Sequence, residues 1–431
     1  MIIVELLIVF LSIGLGIKLG GIGIGFSGGL GVFLLTFFCK AHIGSIPFDV
    51  IGIIISVISA TSTLEAAGGT NYLIDISERF LRKRPKYINF LAPLVTYLIT
   101  IVSGTGNMAF ATLPIISELA KKQGVQPSRP LSASVVASQI AITASPLSAA
   151  VILFSSLLEE TGINYLKFLG ISFFSTIAGI FFAILTINFF EDNFFQKKYH
   201  KNIIIDKKKV STSKKIFNKK QSRTSVLIFL IGVIFIVVYS FFFEKNATFG
   251  NLTLSRNNVS ILVMLTIATL ITLYSKLDSK KILKTNIFTI GMSACVCIMG
   301  VSLLGDTFLH SHFSLIQNSL NSILKNYPWM LSIILFFSSI FLYSQAVTTK
   351  IFMPLMLALG IKPIIIISSF SAVSALFVLP TYPTLLAAIE IDDTGSTYIG
   401  KYIFNHSFII PGILSIFFSV LFSFIMCLVI L

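Results

Sequence analysis

The chain has 431 residues, 55% of them hydrophobic and only 11% charged, with a mean hydropathy of +0.93. Its 32 Lys/Arg and 17 Asp/Glu cannot cover the polar surface that a water-soluble protein of this length needs. They also argue against nucleic-acid binding, because the excess of +15 is spread over short segments between apolar runs, as in cytoplasmic loops of membrane proteins.

Charge-free runs at Leu19–Cys39, Phe168–Phe190, Thr224–Phe243, Thr285–Gly305 and Tyr402–Leu431 are long enough to cross a bilayer, which takes about 20 apolar residues. The pattern predicts a polytopic, all-α membrane protein. Glu5 interrupts the start of the chain, so a removable signal peptide is not expected. In chain order, three spans are expected first, one of them over the run Leu19–Cys39 and the third at about 46–69, ending at the basic string ERFLRKRPK (78–86). Residues 87–117 carry no charge but are bounded by basic strings at both ends, RKRPK and KKQGVQPSR. A stretch too long for one span, with both ends on one side, is read as a re-entrant hairpin over about 87–120. Its tip is the polar string SGTGN, Ser103–Asn107. A span broken at SQIAITASP (Ser138–Pro146) follows at about 131–158, then a span at about 166–190.

Residues 191–224 are lysine-rich and are read as a cytoplasmic loop. Beyond it, spans are expected at about 225–243, 258–275 and 286–304. A second hairpin follows at about 329–358, with SQAVTTK (Ser344–Lys350) at its tip. A second broken span at about 364–391 carries FVLPTYPT (Phe377–Thr384), and the last span runs over about 402–431. Residues 1–190 and 225–431 thus share one order: three spans, hairpin, broken span, span. Five full crossings per half is an odd number, so the second half is inverted relative to the first, as in secondary transporters. The positive-inside rule places both termini on the periplasmic side.

Broken helices in hydrocarbon expose backbone groups that must line a cavity or be buried in protein. Half-helix N-termini carry partial positive charge and suit anions. The candidate substrate-binding residues at the tips and breaks are Ser103, Thr105, Gly106, Asn107, Gln139, Thr143, Ser145, Ser344, Gln345, Thr348, Thr381, Tyr382 and Thr384. For any single Ser or Thr the competing reading is that it merely satisfies kinked helix backbone. Lys350 adds an ammonium within a run otherwise uncharged from Asn326 to Ile361. It is read as pairing with a substrate carboxylate, or as standing where a coupling cation sits elsewhere.

GIGFSG (Gly23–Gly28) fits G-x-G-x-x-G, yet no strand precedes it, and close helix packing is the better reading. His310 and His312 lack further ligands for a metal, and Cys295 and Cys297 fall on different sides of a helix. Asp392 and Asp393 are read as capping a turn, neutralising Lys401 or lining an inner vestibule. No metal and no cofactor are expected.

Long strings carry a family resemblance. KLGGIGIGFSGGLGV, RPKYINFLAPLVTY, GTGN, SQIAITASPLSAAV, GMSACVCIMGVSLLGDTF, LYSQAVTTK, FVLPTYPTLLAAI and DDTGSTYIGKYIFNHSFIIPG resemble the anaerobic C4-dicarboxylate transporter (Dcu) family of bacterial inner membranes. The likeness covers nearly the whole chain and is weakest over 191–223. It implies exchange of fumarate, malate or aspartate for succinate in anaerobic fumarate respiration. It also implies membership of the wider ion-transporter superfamily: a homodimer in membrane lipid, moving by an elevator-like mechanism. By that analogy 87–158 and 329–391 form the transport part and the other spans the scaffold. The alternatives are a membrane-embedded enzyme, for which no nucleophile–base pair or metal set occurs at the polar centres, an anion channel, and a dicarboxylate sensor.

Overall fold

The computed structural model describes residues 2–19, 22–46, 48–106, 109–159, 161–194, 218–242, 247–249, 252–254, 256–342, 344–379, 382–400 and 405–431. Its helices follow the apolar runs. The first half contains α1 (Ile2–Leu19), α2 (Gly23–Cys39), α3 (Phe48–Ala66), α4 (Gly69–Lys83), α5 (Ile88–Ser103), α6 (Ala109–Lys122), α7 (Ser128–Ala141), α8 (Ala149–Glu159) and α9 (Tyr165–Phe194). The second contains α10 (Lys219–Phe242), α11 (Arg256–Ser275), α12 (Ser279–Leu283), α13 (Asn286–Asn326), α14 (Met330–Leu342), α15 (Gln345–Ala358), α16 (Pro363–Ser369), α17 (Pro383–Ile391) and α18 (Ile409–Ile430). A small antiparallel pair, β1 (Ala247–Phe249) and β2 (Leu252–Leu254), joins α10 to α11.

Among the described residues, six helical stretches are long and apolar enough to cross a membrane, or seven if the pair α3–α4, bent by 70°, is one span. Further apolar helices, including Gly23–Cys39 and Met330–Ile340, are shorter than that test requires. The chain is therefore a polytopic helical membrane protein.

The interruptions have local causes. α5 ends where Gly104 takes φ +72° and caps it with a bond to Thr100 O. That left-handed conformation strains any residue with a Cβ. α7 tightens into a 3₁₀ turn (Ile142–Ala144) and stops at extended Ser145; α16 likewise passes into a 3₁₀ segment (Phe370–Phe377) before α17 begins with Pro383. The strings expected to be hairpin tips and broken spans thus fall at helix ends. Elsewhere glycines permit contact. A Cβ at Gly25 would land on the Val296 carbonyl, and one at Gly28 on Gly300, so the GIGFSG string is where α2 lies against α13.

Packing divides the helices into two bodies. The largest core joins α5–α9 with α14–α18; at its centre the rings of Phe154, Phe168 and Phe370 lie 4.8–5.5 Å apart. Smaller cores join α3 with α10 and α11, and α1 and α2 with α13. The bodies meet where Leu147 enters the α3–α10–α11 core and where Val347 packs on Val301. α9 and α18, which the resemblance assigns to the scaffold, pack along each other within the largest core, where Tyr97 Oη bonds Thr176 Oγ1 at 2.7 Å.

Contacts also come in exchanged pairs. α1 packs on α2 as α10 does on α11, α2 on α13 as α11 on α3, and α8 on α15 as α17 on α6. α3 and α13, and α9 and α18, pack on each other.

Candidate functional site

A cavity of about 340 Å³ lies between the two bodies. One wall is α3 and α13, through Val57, Ile58, Thr61, Gly291, Ser293 and Cys297. The opposite wall is made of helix ends from the body formed by α5–α9 and α14–α18. Ser148, Ala149 and Ala150 bring the N-terminus of α8; Ser344, Gln345, Ala346 and Val347 bring that of α15. Tyr382, the residue that precedes α17, also lines it, as does Gly106, three residues before α6.

Two of these N-termini are capped by serine. Ser344 Oγ accepts from Val347 N at 3.3 Å, and Ser148 Oγ accepts from Val151 N at 3.2 Å. Each cap satisfies one of the four N–H groups that a helix leaves without an intrahelical acceptor. Each N-terminus also carries roughly half a positive charge. No charged side chain is among the described lining residues. The arrangement suits an anion held by dipoles and hydroxyls, without the desolvation cost of a buried Arg or Lys.

The candidates separate clearly. Ser103, Thr105, Gly106, Ser344, Gln345 and Tyr382 line the cavity. Asn107 and Thr381 lie outside the described residues. Gln139, Thr143, Ser145, Thr348 and Thr384 stand behind the wall, fully buried. Thr143 and Thr348 bond the carbonyls of Ile140 (2.7 Å) and Ser344 (2.8 Å), and Ser145 Oγ donates to Ile101 O at 2.7 Å. Those three hydroxyls satisfy interrupted backbone. Gln345 ties the layers together, its Nε2 donating to Gln139 O at 2.8 Å. The side-chain amide of Gln139, Gln345 Oε1 and Thr384 Oγ1 have no hydrogen-bond partner among the described residues.

Lys350, expected to meet substrate, is not among the residues that line the cavity. One turn and more beyond Ser344, it faces the connection between α2 and α3, where Nζ donates to Ser45 O at 3.1 Å. Ser45 in turn donates through N (2.5 Å) and Oγ (2.8 Å) to Asp306, so the ammonium sits in a clasp between α15, the α2–α3 connection and α13. That clasp is the physical reason an ammonium is tolerated there.

Sequence reasoning missed Thr61, Ser148, Ser293 and Cys297. Ser148 had a usable signal, being a serine two residues past Pro146 at the start of an apolar helix, where an N-cap belongs. The other three lie within uninterrupted spans and only tertiary packing selects them. Also unforeseen is the buried contact of His312 Nε2 with Glu5 Oε2 at 2.6 Å, at a break in α13. Asp392 does cap a turn, as one of its readings held. Its carboxylate accepts from Thr394 Oγ1 (2.5 Å), Ser396 Oγ (2.6 Å) and Thr397 N (2.6 Å), while Asp393 pairs with Lys121 at 2.7 Å. Burial alone would raise the Asp392 carboxyl; these hydrogen bonds outweigh it and hold it below the usual carboxylate range.

Comparison with known proteins places this geometry. A family model described as "Anaerobic c4-dicarboxylate membrane transporter" matches residues 1–431. The chain is 47% identical to the C4-dicarboxylate transporter DcuA of Wolinella succinogenes over 431 residues, 99% of both chains. It is equally 47% identical to DcuA of Escherichia coli K12 over 433 residues, again 99% of each. Identity to the anaerobic C4-dicarboxylate transporter DcuB of Escherichia coli O6:H1 is 34%, covering 98% of this chain and 97% of that one. The relatives named here are transporters, not enzymes. A family model matched over residues 1–431 and relatives 47% identical over 99% of both chains lead to one conclusion: the chain belongs to the anaerobic C4-dicarboxylate membrane transporter family.

Proposed function

We propose that the protein is a secondary transporter that exchanges C4-dicarboxylates, fumarate, malate or aspartate against succinate, across the bacterial inner membrane. The observation that carries this reading is the gathering of helix N-termini around one cavity whose described lining residues carry no charge. Each carboxylate of the substrate would lie at an N-terminus and accept from free N–H groups, with Ser103, Thr105, Ser344 and Gln345 supplying further hydrogen bonds. The volume, about 340 Å³, is at the small end of the range for ligand pockets, about 300–1,000 Å³. Dipoles and hydroxyls bind firmly enough to load and loosely enough to release, which a carrier needs on both sides.

The same reading takes residues 1–190 and 225–431 as inverted repeats with ten crossings and two re-entrant hairpins, joined by the basic segment 191–224. Support comes from the exchanged packing pairs, which persist when each first-half helix is traded for its counterpart. The hairpin body, α5–α9 and α14–α18, is the moving part, and α1–α3 with α10–α13 the fixed one. The cavity between them then opens to one side at a time, as an elevator requires. Periplasmic termini rest on the basic connections, while a homodimer and a role in anaerobic fumarate respiration rest on the family resemblance alone.

Counterflow in proteoliposomes tests the function. Internal succinate is expected to accelerate entry of labelled fumarate, and the acceleration is expected to persist across C4 acids and vanish with shorter monocarboxylates. Flux without trans-acceleration marks a channel; binding with little flux marks a sensor. Either result refutes exchange.

A further inference from the structure

α4 is the helix through which the chain passes from one body to the other. The turn after α3 places Gly68 at φ +79°, and α4 leaves it bent by 70° from α3. Tyr72 and Leu73 pack against the α3–α10–α11 core, while Leu81 and Ile74 belong with the largest core. Another edge of the helix is polar. Arg79 pairs with Asp75 at 2.7 Å, and Arg82 pairs with Glu78 at 2.7 Å and with Glu118 of α6 at 3.2 Å. Ile76 and Phe80, one turn apart, belong to neither core and are 46% and 47% exposed.

Past α4 the chain forms a 3₁₀ turn (Pro85–Tyr87) before α5. Lys83, Arg84 and Lys86 are exposed here, and their side chains have no hydrogen-bond or ion-pair partner among the described residues. The carboxylates of α4 and α6 that flank them, Asp75, Glu78 and Glu118, are already engaged by Arg79, Arg82, Lys122 and Lys219. Tyr87, 60% exposed, follows the three cations. An apolar edge followed by basic residues and an exposed aromatic ring is the pattern of a helix lying in a membrane interface. Apolar side chains enter the acyl boundary there, while Lys and Arg reach the headgroups. The bend agrees with this placement. α3, with 19 residues, is about 28 Å long and close to the hydrocarbon thickness by itself, so α4 runs nearer to the membrane plane than to its normal.

We propose that α4 and the turn after it form a docking surface for anionic phospholipids of the surrounding leaflet. Lys83, Arg84 and Lys86 pair with the headgroup phosphates, and Ile76, Phe80 and Tyr87 enter the acyl boundary beside them. Opposite charge selects anionic over zwitterionic lipid, because nothing within the described protein neutralises the three cations. None of these six residues lines the substrate cavity, so lipid and substrate bind at separate places. Lipid held there grips the connection between the two bodies.

The chain has one tryptophan, Trp329, which makes a local reporter possible. Full-length protein carrying Trp329→Phe and Phe80→Trp is reconstituted in phosphatidylcholine bilayers containing increasing fractions of phosphatidylglycerol with brominated acyl chains. The same series is run with brominated phosphatidylcholine. Bromine quenches the indole only on contact, so the two series give the relative binding constant of the lipids at α4. That constant is expected to favour phosphatidylglycerol about fivefold or more, since one basic residue near a headgroup contributes about 1 kcal/mol. Lys83→Gln, Arg84→Gln and Lys86→Gln together are expected to return it to about one. Should that variant fail to fold, salt supplies the second arm. At about 1 M the Debye length shrinks to about 3 Å, and the preference is expected to fall toward one with no further substitution. Equal quenching by the two lipids, or a preference that survives both neutralisation and salt, overturns the proposal. Quenching by neither lipid also overturns it, and shows the face covered by another part of the chain or by a second copy.

Discussion

Ala346→Asp separates an anion site from an ordinary helix end. Ala346 is the second residue of α15 and lines the cavity half-buried beside Ser344 and Gln345. As a matter of folding, an aspartate there is favourable: a negative charge in the first turn of a helix contributes about 0.3–1 kcal/mol. For a dicarboxylate the same charge is hostile. At a separation of about 5 Å and an effective dielectric of about 20, it repels one substrate carboxylate by about 3 kcal/mol. At 1.4 kcal/mol per factor of ten, that is a loss of affinity of about a hundredfold or more. The variant is therefore expected to melt no lower than the wild type while its KM for fumarate in proteoliposome counterflow rises beyond the measurable range. Ala346→Asn, of the same shape and without the charge, is expected to keep most of the affinity. If the Asp and Asn variants transport fumarate with the same KM, the N-terminus of α15 does not face the substrate, and the site assigned here is refuted.

Other consequences are simpler. Gly104→Ala places a Cβ at φ +72°, costing about 1–2 kcal/mol for the left-handed backbone. The new Cβ also comes within 2.7 Å of Leu147 Cβ, so both melting temperature and fumarate uptake are expected to fall; an unchanged melting curve counts against the rigid tip. Lys350→Gln is expected to leave the fumarate KM within about twofold of wild type and to cost about 1 kcal/mol of stability through the Ser45 clasp. A large KM increase with normal stability would return Lys350 to the substrate site. Asp392→Asn removes a carboxylate whose folded-state pKa is depressed. Its stabilisation is present above the ordinary carboxylate value of about 3.9 and is lost as pH falls through the depressed one. The stability gap between wild type and Asp392→Asn is thus expected to be constant from pH 7 to about 5 and to close below about 4; a gap that widens on acidification contradicts this account.

Much of this protein was determined by its sequence read alone. Apolar runs and charge placement specify a polytopic helical protein, because hydrocarbon admits no unsatisfied backbone and few charges. Gly104 and Pro146 mark where helices stop and Pro383 where one begins, since left-handed φ and a missing N–H act locally whatever surrounds them. Ser344 and Gln345 could be named as site residues for that reason.

Tertiary structure decided what local rules cannot. Thr143 and Ser145 belong to the same polar string as the expected site, yet their hydroxyls turn to the backbone behind it. Lys350 is near a polar tip in sequence, but a helix turn rotates it toward Ser45 and away from the cavity. Thr61, Ser293 and Cys297 complete the site from spans with no punctuation, because which face of a straight helix meets the cavity depends on its partner. α9 and α18 carry nothing in their composition to assign them to either body; only the packing of one against the other, and of Phe168 on Phe154 and Phe370, does so.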